Sequence, residues 1–194
     1  MRSGTHRLAA IALLAGGWSL ALTSGTFAAH MTAHMVTVAL APPLLLAVGR
    51  QRLARPWAAV LACAVELVVV WGWHMPWMHA AARQHLTAFG LEQASFLAAG
   101  CAVWAGALPA AGRPRSTELV GAGVLLLTSM HMSLLGGLLA VVPQPLYPHG
   151  HALDALWDQQ LGGIVMLGIG GLAYLGGGLW LLGRALRDEP RKCP

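Results

Sequence analysis

Charge is what this sequence has least of. Only 10% of its 194 residues are Asp, Glu, Lys or Arg, where a soluble domain carries about a quarter. Paired cysteines are missing too. Cys63, Cys101 and Cys193 show no spacing of a disulfide framework or a thiol pair. There is no Ser/His/Asp arrangement of defined spacing, no glycine loop of the phosphate-binding kind and no internal repeat. These absences argue against a hydrolytic or redox enzyme and against a water-exposed domain.

What is present is apolar: 57% of the residues are hydrophobic, in long runs broken by short charged stretches. A spanning helix needs ~20 mostly apolar residues to cross ~30 Å of hydrocarbon. Six stretches qualify, at 8–28, 30–49, 56–75, 86–109, 117–142 and 159–183. Backbone groups in lipid must be satisfied within their own segment, so each is expected to be a helix. The expected fold is all-α, a polytopic transmembrane bundle forming one domain over residues 1–194. Charge placement supports this threading. With the N-terminus in the cytoplasm and six spans, every Lys and Arg except Arg83 falls on the cytoplasmic side: Arg2, Arg7, Arg50, Arg52, Arg55, Arg113, Arg115, Arg184, Arg187, Arg191 and Lys192. That is the positive-inside bias, and it predicts both termini in the cytoplasm of a bacterial cell, with the chain in the inner membrane. The net charge of +5 reflects topology and calls for no nucleic-acid partner.

Residues 2–28 also resemble a signal peptide, with Thr26-Phe27-Ala28 as a small-residue cleavage site. Cleavage there would leave five spans. Retention is the preferred reading, because the apolar run exceeds the usual ~7–15 residues. Pro42-Pro43 predicts a kink in the second span. The glycines of the last two spans predict close helix packing. Trp71, Trp73, Trp77 and Trp157 are expected at the outer interface, and Trp57, Trp104 and Trp180 at the inner one.

Topology sorts the histidines. Of the nine, only His6 is cytoplasmic. His30 and His34 open the second span, His74 closes the third, and His79, His85, His149 and His151 lie in outer loops. His131 is inside the fifth span, ~20 Å from its cytoplasmic end at ~1.5 Å per residue. Met31, Met35, Met75, Met78, Met130 and Met132 each lie within a few residues of a histidine. In AHMTAHM, His30 and His34 stack one helical turn apart, able to share a metal, and Met31 and Met35 repeat that spacing. Imidazole suits several transition metals and thioether sulfur selects Cu(I), so the set points to copper, as Cu(I), on the outer side. The expected ligands are His30, His34, His74 and His131, with Met31, Met35, Met130 and Met132. His79, His149 and His151 are expected to be solvated, and most methionines in apolar helices are packing. Intramembrane His131 is the least easily dismissed.

Four acids matter by position. Glu92 lies ~9 Å below the outer surface, at a depth near that of His131, and is expected to support the metal ligands from behind and not to bind the metal itself. Asp158 opens the sixth span, as a helix cap or as a carboxylate orienting a ligand imidazole. Asp154 has the same two options. Glu66 sits near the midplane of the third span, away from the cluster, either protonated or paired with a polar group.

The ordered motifs HMTAHMVTVALAPPLLLAVGR, WHMPWMHAAA, HMSLLGGLL with PLYP after it, and DQQLGGIVM resemble those of the CtaG-type cytochrome c oxidase assembly factors, from about His30 to Met166. The resemblance implies a membrane protein that is not an enzyme and that helps deliver copper to the haem–copper subunit of the oxidase, its partner. A soluble copper donor on the outer face is a further partner, and homo-oligomerisation remains open. Carried over by motif, the residues are His30, His34, His74, His131 and Asp158. Members often carry a histidine where this chain has Gln93, often a Trp in place of Leu167, and commonly an additional span. Two other readings stand beside this one: a membrane b-type cytochrome with His-ligated haem, and a small transporter or structural subunit.

Overall fold

A computed structural model describes residues 2–46, 55–108, 115–147 and 152–187. Every regular element among them is helical. In chain order these are α1 (Arg2–Ser24), α2 (Phe27–Met35), α3 (Ala41–Leu46), α4 (Pro56–Trp73), α5 (Pro76–Gln84), α6 (Leu86–Ala107), α7 (Arg115–Val141), α8 (Ala152–Val165) and α9 (Leu172–Arg187). One π-helical stretch, Val36–Leu40, joins α2 to α3, and another, Met166–Gly171, joins α8 to α9. The result is six helices long and apolar enough to cross a membrane: α1, α2–α3, α4, α6, α7 and α8–α9. Large apolar side chains such as Val68, Leu91, Leu134 and Leu172 stand exposed around the bundle. That suits a chain whose solvent is hydrocarbon.

The second span is the axis of the bundle. Its first turn is tied down by two separate groups. Thr26 is the N-cap, its hydroxyl accepting from Ala29 N at 3.2 Å. Asp158 of α8 accepts from Phe27 N at 2.5 Å and Ala28 N at 2.9 Å. Three backbone donors that a helix start leaves orphaned are thereby satisfied. Asp158 thus caps a neighbouring helix; it lies within α8, which begins at Ala152, and does not open its own span as expected. Downstream, neither Pro42 nor Pro43 has an N–H to offer the carbonyl of Val38. The buried Tyr174 hydroxyl donates to that oxygen instead, at 2.8 Å. The strain expected at Pro42-Pro43 is taken up as a π turn just before them, where Ala41 N bonds Val36 O.

Two other features bring the site together. Pro76 forces Met75 into an extended conformation (φ −62°, ψ 133°), so α4 ends at Trp73, two residues short of the expected boundary. Pro76 then opens α5 at its first turn, and α5 packs against α6. Glycine sets the second feature. A Cβ on Gly163 would lie 2.6 Å from Gly136 O, and one on Gly136 would lie 2.9 Å from Gly163 O, so α7 and α8 cross backbone to backbone. Other glycines of these spans, such as Gly123, Gly137 and Gly168, meet nothing. Trp57, Trp77, Trp157 and Trp180 are exposed as an interfacial belt requires, but Trp104 is buried and stacks on Tyr174 with ring centroids 5.5 Å apart.

Candidate metal centre

At the end of the bundle where α1 meets α2 and α4 turns into α5, the core is polar. His30, His34, His74, His79 and Glu92 are all at most 7% exposed. They form two adjoining groups.

The first group contains a carboxylate. His30 Nε2 lies 3.0 Å from both oxygens of Glu92 on α6. The His79 ring of α5 meets His30 edge-on at 4.7 Å between centroids. One potential ligand atom from each of His30, His79 and Glu92 lies within 4.8 Å of the others. Glu92 is held from behind: Gln93 Nε2 donates to Glu92 Oε2 at 3.1 Å, and Gln93 Oε1 is 2.9 Å from the Thr37 hydroxyl. Trp18 of α1 donates to that hydroxyl at 2.9 Å. Gln93 therefore positions the carboxylate where the resemblance would place another imidazole. Phe27 and Tyr147 stack at 4.6 Å, and both contact the His79 ring. The Tyr147 hydroxyl donates to His74 O at 2.6 Å, and burial raises its pKa above that of a free phenol. Arg83, the one basic residue threaded outside, donates to the carbonyls of Gly25 and Thr26 at the α1–α2 turn. Burial lowers its pKa, opposed by the nearby carboxylates of Asp158 and Glu92.

The second group has no carboxylate. His74 Nδ1 lies 2.6 Å from Val70 O and must carry a proton to donate there. Its Nε2 faces Met31 Sδ at 3.4 Å, and on a neutral ring that nitrogen is a bare lone pair. The His34 ring sits 5.0 Å from that of His74 and lies flat on Phe96 at 3.7 Å. Both His34 ring nitrogens are buried with no hydrogen-bond partner. A backbone carbonyl fixing one nitrogen of an imidazole while the other points at a soft donor is the arrangement typical of a metal-ligating histidine.

The remaining expected ligands separate from these groups. His131 of α7 faces Glu66 of α4, with Nε2 3.8 Å from Oε2. Glu66 Oε1 also meets the Tyr174 hydroxyl. So Glu66 has partners, and it sits with one of the histidines instead of apart from all of them. Met132 and Met35 are buried beside Gly170 in the second π stretch. Met130 is 69% exposed and leaves the ligand set. Successive helical residues point ~100° apart, so it flanks His131 on the outer wall. His79 reverses its expectation, being buried in the cluster and not solvated. The proline at the start of PWMHAAARQ and the His79–Ala82 spacing marked a helix with a buried face. His149 and His151 lie outside the described residues.

Folded this way, the chain is a six-span helical membrane protein with a buried His/Met/Glu cluster at one end. Residues 47–188 match the family of cytochrome c oxidase caa3 assembly factors (Caa3_CtaG), and the chain belongs to that family. The match takes in His74, His79, Glu92 and His131 and leaves His30, Met31 and His34 outside it. No curated protein and no solved structure matches the chain.

Proposed function

We propose that the protein is a copper-binding assembly factor that helps supply the haem–copper subunit of cytochrome c oxidase, with copper as its cargo. The observation that carries this reading is the approach of His74 Nε2 to Met31 Sδ at 3.4 Å, beside the His34 ring whose nitrogens have no hydrogen-bond partner. Two imidazoles and a thioether form an uncharged, soft donor set, which suits Cu(I). Lone pairs buried there with nothing to accept them would carry a cost that a bound cation removes. Membership of an assembly-factor family supports the same assignment. The sequence excess of basic residues on one side of the threading supports a cytoplasmic-membrane location with the cluster facing outward, where a soluble copper donor would meet it.

The test is Cu(I) binding by the detergent-purified protein under anaerobic conditions, in competition with a Cu(I)-specific chelator. About one tightly held Cu(I) per chain is expected, lost in the double variant Met31→Leu/His74→Ala. Unchanged stoichiometry in that variant would disprove the assignment. A Soret band in the same preparation would give the imidazoles to haem instead.

A further inference from the structure

His30 and His34 are one turn apart on α2, yet they address different neighbours. His34 meets His74 and Phe96, while His30 meets His79 and Glu92. A single shared ion, the simplest use of that spacing, is not what the packing prepares. We propose that this end of the bundle holds two cation sites, and that His30, His79 and Glu92 form the second, taking a borderline divalent ion such as Zn(II), Co(II) or Cu(II).

Three observations carry this. Donor atoms of the three residues lie within 4.8 Å of one another, on three different helices, so the fold and not local sequence assembles them. Two imidazoles and one carboxylate make a donor set of charge −1 with a hard oxygen. That set offsets divalent charge and disfavours Cu(I), the opposite preference to the neutral nitrogen–sulfur set. Glu92 is also prepared as a ligand, because the Gln93 amide donates to it and the Thr37–Trp18 chain fixes Gln93. A buried carboxylate has to be met by charge or hydrogen bonds; His30 Nε2 meets it at 3.0 Å, and an ion held between His30, His79 and Glu92 would meet it more fully.

The site also has an approach. His79 lines a half-open pocket of about 660 Å³ together with Pro76, Arg83 and Tyr147. An ion entering by it reaches His79 before any other imidazole of the cluster. The inference extends the copper reading above by adding a station of different selectivity beside the Cu(I) ligands, but it does not need Cu(I) to be the cargo.

The experiment loads the detergent-purified full chain with Cu(I) and then titrates it with Co(II), read by the visible d–d absorption. Cu(I)-loaded protein is expected to take one further Co(II) per chain. Glu92→Gln and, independently, His79→Ala should weaken Co(II) by at least the ~10–100-fold that losing even an outer partner of a ligand costs, with Cu(I) binding kept. Met31→Leu should do the reverse. Thermal unfolding of each variant identifies any that fails to fold, and either of the first two suffices for the comparison. Cu(I) loading that blocks Co(II), or folded Glu92→Gln and His79→Ala proteins that lose both metals together, would overturn the two-site proposal. Co(II) binding without Cu(I) binding would sink the copper reading and the pairing of sites, leaving the His30/His79/Glu92 site alone. Cu(I) binding without Co(II) binding would remove that site and leave the copper reading standing.

Discussion

The first two spans, Gly4–Ser24 and Phe27–Leu46, have nearly equal length, and their most apolar 18-residue stretches have equal mean hydropathy, yet 17% of one stretch and 67% of the other is buried inside the protein. Both are apolar enough to live in lipid, so apolarity does not decide which becomes the axis. What differs is how much each has to bond. The second carries His30, His34 and Thr37 in its interior and a proline pair that frees a carbonyl, and each of these finds a partner or a neighbour on another helix. The first offers chiefly Trp18 and the flat surface at Gly17, where an added Cβ would sit 3.3 Å from Ala33 Cα. In a membrane, where lipid is as apolar as a core, polar commitments and close backbone approach select the central helix.

This contrast predicts graded costs, all measurable by thermal unfolding in detergent followed by tryptophan fluorescence. The largest should come from Gly100→Ala, whose Cβ would stand 2.2 Å from Val38 O and push α6 off the central span. About 3 kcal/mol, the upper range for overpacking, is expected, and an unchanged melting temperature would show that the two helices are not in register as described. Next is Asp158→Ala, which strips two backbone donors at the start of the central span of their acceptor. A loss of about 2 kcal/mol follows from the usual value of a cap, with Asp158→Asn recovering part of it. On the first span the effects should shrink. Trp18→Phe removes one hydrogen bond to Thr37 and should cost about 1 kcal/mol. The exposed Leu8 should tolerate Ala within ~0.5 kcal/mol. If Leu8→Ala proved as damaging as Gly100→Ala, the first span would be a core element after all.

The spans were legible because hydrocarbon thickness imposes length and apolarity on each, and the positive-inside bias gave an independent parity to the threading. The histidine-rich end was legible for a related reason: histidine is costly inside a membrane, so its clustering had to be explained. Which face each helix buries was not legible. Met130 and Met132 read alike, and only the packing of α7 turns one outward and the other inward. His79 looked like a loop residue until the turn at Pro76 returned α5 to the bundle. Glu66 had no partner in sight because Tyr174 and His131 reach it from helices far along the chain. The division of the imidazoles into a set with a carboxylate and a set without one is likewise tertiary, since the four-residue spacing of His30 and His34 suits one shared ion as well as two.

The π turn at Val36–Leu40 sets the phase of a screw. An inserted residue advances a helix by ~100° without ending it. The histidine-bearing turns before it and the proline-bearing turns after it can therefore be clocked independently on one continuous rod. Deleting a single residue there would leave the hydropathy of the span almost untouched. It would also swing His30, Met31 and His34 together by about a quarter turn relative to Pro42, retiming all three side chains against α4 and α6 while each of them remained in the chain.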